Sequence, residues 1–128
     1  MKKFAYSRLA SFGYAFRGLW YVLRTQQNAW IHAVATIMVI LLGLWLAVSP
    51  RDWAALVLTI AMVWMAEILN TSIEAVVDLA SPARHPLAKV GKDVGAAAVL
   101  IAALAAVLVG LLILGPPLWE KIVILLGL

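Results

Sequence analysis

Apolar positions along this chain gather into three long runs and one narrower stripe. Arg24 and Arg51 enclose 26 residues without a formal charge, and Asp93 and Glu120 enclose another 26. Either run can cross a bilayer, which takes about 20 apolar residues at ~1.5 Å rise per residue. A third run, Trp53 to Ala66, has 14 uncharged residues and then passes into Glu67, Asn70, Glu74 and Asp78 without a helix breaker. It spans only where those polar groups are sheltered by protein. The pattern predicts three transmembrane helices near 29–49, 53–80 and 88–114, with Pro50 in a very short turn between the first two. The segment Ser81-Pro82-Ala83-Arg84-His85-Pro86 reads as a loop by its two prolines. Ahead of the first span, Ala5, Leu9, Phe12, Phe16, Leu19 and Leu23 recur at steps of four and three. That is the apolar face of an amphipathic helix over about 4–26, suited to a membrane surface. The tail 116–128 is too short to span and is expected on the outer surface.

Composition agrees with a single all-α membrane domain covering 1–128. The chain is 66% hydrophobic and 12% charged, against roughly half and about a quarter in soluble domains. With no cysteine, disulfides, thiol nucleophiles and zinc knuckles are excluded. Ten Lys/Arg against six Asp/Glu give +4, which by itself would also suit a nucleic-acid partner. The placement argues otherwise. Lys2, Lys3, Arg8, Arg17 and Arg24 precede the first span, and Arg84, Lys89 and Lys92 follow the second. By the positive-inside rule that side, including the N-terminus, is cytoplasmic, and no nucleic acid is needed to explain the charge. Arg8 and Arg17 interrupt any signal-peptide core, so no cleavage is expected.

The second span carries the chemistry. Glu67, Asn70, Glu74 and Asp78 recur at spacings of three and four and so share one helix face. A charged group at mid-membrane costs about 3 kcal/mol even on lenient scales, so the stripe must face protein, a metal or a cavity. Its bland explanation is polar pairing between helices, strongest for Asn70 alone. Lys89 and Lys92 follow at the cytoplasmic mouth of the third span, able to snorkel, to meet those carboxylates or to bind phosphate oxygens. Gly91, Gly95 and Ala98 put small residues on one side of that helix and permit close approach to the acidic one. Clustered carboxylates with nearby lysines suit a divalent cation and a phosphate chain. A carboxylate deeper in the bilayer can take a proton from a lipid hydroxyl. No phosphate loop does this work, since Pro86 stands where such a loop needs its first glycine and Asp93 where it needs Ser or Thr. Soluble-kinase signatures are absent as well.

The residues Glu67-Ile68-Leu69-Asn70-Thr71-Ser72-Ile73-Glu74-Ala75-Val76-Val77-Asp78, followed by His85-Pro86-Leu87-Ala88-Lys89-Val90-Gly91-Lys92-Asp93, closely resemble the prokaryotic integral-membrane diacylglycerol kinase family, which includes undecaprenol kinases. The resemblance covers roughly residues 4–112, and its His85–Lys89 stretch looks more like the undecaprenol kinase branch. It implies a homotrimer in the bacterial inner membrane, with composite active sites between subunits. It further implies transfer of the γ-phosphoryl group of ATP, with Mg²⁺, to a lipid alcohol, either undecaprenol or diacylglycerol. Carried over by position, Glu67 is the general base, Asn70 its polar neighbour, and Glu74 a magnesium ligand. Lys92 contacts the ATP phosphates, while Tyr14, Asp78, His85 and Asp93 line or brace the nucleotide site. Arg8 lies near the lipid substrate or ATP. One departure stands out: where many members carry a second metal-binding glutamate, this chain has the neutral Gln26. Its amide oxygen can ligate Mg²⁺ without adding charge.

Two other classes compete with a kinase: a proton- or cation-coupled transporter using the buried carboxylates, and a non-catalytic membrane subunit. Remaining polar and aromatic features have plainer explanations. His32 is expected to be an interfacial or helix-pairing histidine, because one histidine alone makes no metal site. Trp20, Trp30, Trp53 and Trp119 lie near span ends, as membrane anchors do. Trp45 and Trp64 lie deeper and are expected to pack.

Overall fold

The computed structural model describes residues 2–83 and 85–127, with side chains from Ala10 onward. Among the described residues the order is α1 (Lys2–Thr25), α2 (Gln27–Leu46), α3 (Pro50–Ala80) and α4 (Pro86–Leu126). The chain is all-helical, and α2, α3 and α4 are each long and apolar enough to cross a membrane.

Local sequence writes the helix boundaries. Gln26 alone separates α1 from α2, in extended conformation. Three residues, 47–49, reverse the chain between α2 and α3. Ala47 takes the left-handed conformation (φ 53°) that closes α2. Pro50 occupies the first turn of α3 rather than a turn outside it, where its missing N–H goes unneeded. Ser49 caps that helix: its hydroxyl accepts from the Asp52 N–H at 3.2 Å and donates to Asp52 Oδ2 at 2.7 Å. At α4, His85 plays the same part, its Nδ1 accepting from the Leu87 N–H at 3.2 Å, with Pro86 following.

The fourth helix departs most from expectation. It does not stop near 114 but runs through Pro116 and Pro117 to Leu126. Each proline removes one intrahelical donor, a loss that membrane helices accommodate by local adjustment and neighbouring partners. The Lys121 ammonium ties this extension down by donating to the Trp45 carbonyl at 2.8 Å and lying 4.7 Å over the Trp45 ring. At 41 residues, α4 is about 60 Å long, roughly twice a hydrocarbon core.

Helices α3 and α4 pack most extensively, and small residues set their approach. Gly95 is buried against Asn70, whose Oδ1 occupies the space a Cβ would need. Gly91 lies one turn earlier, where a Cβ would meet Val77 Cγ2 at an ordinary 3.7 Å. Ala98, the third expected small contact, is exposed, and Val99 is buried in its place. On α2, Gly43 makes room for the indole of half-buried Trp53, which packs against that helix. Trp20, Trp30 and Trp119 remain exposed. Helix α1 meets the bundle through buried Val22, flanked by half-buried Leu19 and Leu23, while Phe12 and Phe16 stay uncovered. Most large apolar side chains of the spans are likewise exposed, as befits helices bathed in lipid or packed against other chains.

The glycine contacts predict a contrast. Gly95→Ala should lower thermal stability in detergent by about 1–3 kcal/mol, the usual range for overpacking. Gly91→Ala should leave the melting temperature unchanged or slightly raised, since ordinary contact is added and helix propensity improves.

Candidate active site

Helix α3 turns three of its four stripe residues inward. Glu67 is 1% exposed and Asn70 8%, so both lie within the bundle, while Glu74 is half-buried. The local logic is that of lipid: a polar side chain in a span finds partners in its own protein or pays full desolvation. Asn70 Nδ2 donates to Glu74 Oε1, one turn on, at 3.1 Å. Gln26 Nε2 donates to the other carboxylate oxygen, Oε2, at 3.2 Å, although 48 residues separate the two in sequence. The break between α1 and α2 thus places an amide on Glu74. The Thr71 hydroxyl turns back to the Glu67 carbonyl at 2.9 Å, leaving the Glu67 carboxylate to other groups. Across from it on α2 lies His32, with Nε2 3.7 Å from Glu67 Oε2.

The fourth stripe residue belongs to a second cluster. Asp78 is exposed and pairs with Lys92 of α4, Nζ to Oδ1 at 2.6 Å. A cavity of about 640 Å³ opens beside this pair, under the α3–α4 loop, lined by Asp78, His85, Lys89, Lys92 and Asp93 among others. Two lysines, two carboxylates and an imidazole at a loop-roofed opening can meet a polyanion with counter-ions. Glu67 to Asp78 is eleven residues of helix, about 16 Å along the axis. One helix face therefore joins a buried carboxylate to a polar, open cavity.

Of the positions singled out in the sequence, Glu67, Asn70, Glu74 and Gln26 come together in the upper group, and Asp78, His85, Lys92 and Asp93 in the lower. Tyr14 does not line the cavity; it is exposed on α1, with the Arg17 guanidinium 4.7 Å over its ring. The Arg8 side chain lies outside the described residues. His32 was expected only at an interface or between helices, and its place opposite Glu67 is new. A signal for it exists: Ala29, His32, Thr36, Val39 and Gly43 recur at three and four, and Ala29 and Gly43 are buried. This is the face α2 turns to α3. Trp64 packs as expected, its Nε1 donating to Thr36 Oγ1 at 3.2 Å.

Comparison with known proteins shows which family the chain belongs to. A family model described as prokaryotic diacylglycerol kinase matches residues 13–114. The chain belongs to the prokaryotic diacylglycerol kinase family. With that membership it is a lipid kinase. It is 41% identical to an undecaprenol kinase of Bacillus subtilis over 108 residues, covering 84% of this chain and 88% of that one. It is 44% identical over 116 residues to a diacylglycerol kinase of Synechocystis, covering 90% of this chain and 66% of that longer relative. With a diacylglycerol kinase of Escherichia coli it shares 36% identity over 103 residues, 75% of this chain and 79% of the relative. The matched region takes in both side-chain clusters and stops where α4 reaches its prolines.

The two clusters should respond differently to substitution. Asp78→Asn removes an exposed ion pair and should change stability by less than about 1 kcal/mol. Asn70→Leu, which removes a donor to Glu74 and fills the space beside Gly95, should cost about 2–4 kcal/mol. Thermal unfolding of the detergent-solubilised variants checks both.

Proposed function

We propose that this lipid kinase phosphorylates a membrane lipid alcohol, undecaprenol or diacylglycerol, at the expense of ATP, with Glu67 as general base. The observation that carries the reading is the α3 face: a carboxylate buried at lipid depth, then one held by amides, then an ion pair at an open cavity. A hydroxyl arriving from the membrane and a nucleotide arriving from water meet along it.

In this reading the lipid hydroxyl oxygen attacks the γ-phosphorus of ATP, and its proton passes to the Glu67 carboxylate. The new O–P bond forms as the bond from the γ-phosphorus to its bridging oxygen breaks, and ADP leaves with that electron pair. Transfer of this kind needs positioning and charge compensation more than covalent help. Lys92 compensates the phosphate oxygens, released for that purpose from an ion pair that is exposed and weak. His85, Asp93 and Asp78 line the nucleotide cavity, with Lys89 at its rim. Asn70 keeps the Glu74 carboxylate oriented. Tyr14 and Arg8 are assigned to the nucleotide and the substrate by resemblance to the family.

The residues present fit Mg²⁺. The Gln26 amide nitrogen donates to Glu74 Oε2 while Asn70 engages Oε1. Turned over, the same amide would present its oxygen, and a carboxylate plus an amide oxygen is a hard-cation donor set. The described residues contain no group of three or more acidic, His or Cys side chains that would form a metal cage, so Glu74 and Gln26 would hold the ion together with oxygens of the nucleotide. Bound there, Mg²⁺ offsets negative charge on the phosphate oxygens. We place α1 on the membrane surface, the 81–86 loop and N-terminus in the cytoplasm, and three copies of the chain in the active assembly. The exposed apolar faces of the spans give that assembly its contact surface.

Phosphate transfer from labelled ATP in mixed micelles, offered undecaprenol and diacylglycerol in parallel, tests the reading. One or both lipids should be labelled only when Mg²⁺ is present. Glu67→Gln and Glu74→Ala should each reduce the rate by roughly 100-fold or more. A Mg²⁺-independent rate, or full activity in Glu67→Gln, would refute it.

Gln26→Glu supplies a second test through stability alone. It replaces a charge-assisted hydrogen bond, worth about 1.5–3 kcal/mol, with a carboxylate facing Glu74. In EDTA at neutral pH the variant should therefore melt below the wild type. Mg²⁺ should raise its melting temperature more than it raises the parent's, because two carboxylates bind the ion better than one.

A further inference from the structure

Among the described residues three buried side-chain atoms lack a hydrogen-bond partner: Asn70 Oδ1, which lies against Gly95, and a pair on α2 and α3. Glu67 Oε2 and His32 Nε2 are both shielded from solvent, neither has a hydrogen-bond partner, and they face each other 3.7 Å apart. Buried polar atoms without partners are uncommon in folded proteins, and hydrocarbon offers no water to supply one. Two that face each other explain one another: closing the gap by less than about 1 Å makes an N–H···O bond of normal length.

The surroundings hold the imidazole in place for it. The Trp64 ring meets the His32 ring edge-on, with centroids 6.5 Å apart and planes at 68°. Trp64 is in turn fixed by its bond to Thr36, one turn beyond His32 on α2. His32 and Thr36 on α2 therefore mesh with Trp64 and Glu67 on α3 as two successive rungs. Elsewhere His32 borders an apolar groove of about 430 Å³, whose walls include Val39, Val63, Ala103 and Val107. The polar group on those walls besides His32 is the Thr36 hydroxyl, whose oxygen already accepts from Trp64. The glutamate itself is nearly inaccessible while the histidine is 12% exposed, so the ring stands between the carboxylate and the groove.

We propose that His32 is a positioning residue for Glu67: its Nε2–H donates to Oε2 and holds the carboxylate in the orientation from which the other oxygen takes the proton of the acceptor alcohol. A base on three rotatable bonds gains from such a partner, because proton transfer falls off steeply with misplacement. The histidine needs neither to bind metal nor to touch the phosphates. This inference rests on the reading of Glu67 as the base.

The test is a double-mutant cycle in the mixed-micelle assay, using full-length chain, with kcat and the KM for MgATP measured separately. His32→Ala should lower kcat about 10- to 100-fold, the range seen when a supporting hydrogen bond to a functional group is lost, and leave the KM for MgATP unchanged. His32→Gln, whose amide nitrogen reaches about as far as Nε2, should restore kcat to within a few fold of wild type. Glu67→Asp keeps a carboxylate but draws it back from the ring, so adding His32→Ala to that variant should cost less than about twofold. Equal losses from His32→Ala in the Glu67 and Asp backgrounds would overturn the proposal. So would a His32→Gln variant that melts like wild type yet is no faster than His32→Ala, or a loss confined to the KM for MgATP. Glu67→Gln, run beside them, separates the two claims. A dead Glu67→Gln with an unaffected His32→Ala overturns the positioning role alone, whereas an active Glu67→Gln overturns the base itself.

Discussion

A carboxylate inside a lipid bilayer has only its own protein to answer its charge, and the architecture follows from meeting that demand along one face of α3. Every other part of the bundle contributes something to it. The junction of α1 and α2 supplies the Gln26 amide to Glu74. Helix α2 brings His32 opposite Glu67. Helix α4 contributes the absence of a side chain, because Gly95 leaves the volume into which Asn70 turns, and near its N-terminal end it extends Lys92 to Asp78. The short connections between helices are consistent with this. A one-residue break at Gln26 and a three-residue reversal after α2 leave little freedom for the helices to slide and expose the polar face.

Periodicity and charge made much of this legible. The spans announce themselves because a bilayer imposes a length and excludes charge, two properties that sequence records directly. The stripe from Glu67 to Asp78 was visible for the same reason: polar residues at helical spacing in an apolar helix have no cheap alternative explanation. What sequence does not record is the rotation of one helix against another. That is why Gly91 and Gly95 proved to be contact residues while Ala98 points away and Val99 replaces it. It is also why the seat of the Trp53 indole on Gly43 was not legible. His32 was expected between helices, and its spacing with Ala29 and Gly43 marks the face it lies on, but which residue it faces is set by a position 35 residues away on another helix.

The same site also divides its labour by environment. Glu67 is held where water is scarce, which suits the proton-accepting role proposed for it. Asp78, Lys92 and their neighbours stand where water is plentiful, so their contacts are weak enough to be exchanged for a ligand's. Glu74 lies between, with both oxygens engaged by amides. Neutral Gln26 in this position adds a donor to Glu74 without adding a second negative charge beside it.

The last helix has a consequence at the opposite end of the molecule. A helix ends with four carbonyls that its own ladder cannot satisfy. At the close of α2, the Ala47 and Val48 amides turn back to Leu44 and Gly43, and the Trp45 carbonyl receives Lys121 from the segment beyond Pro117. The reversal into α3 is so tight that it has no residues of its own to spare for this task. The segment that looked like a loose tail is thus a borrowed cap: the turns of α4 beyond Pro117 complete the end of α2, and the hairpin of α2 and α3 is closed only once Lys121 is in place.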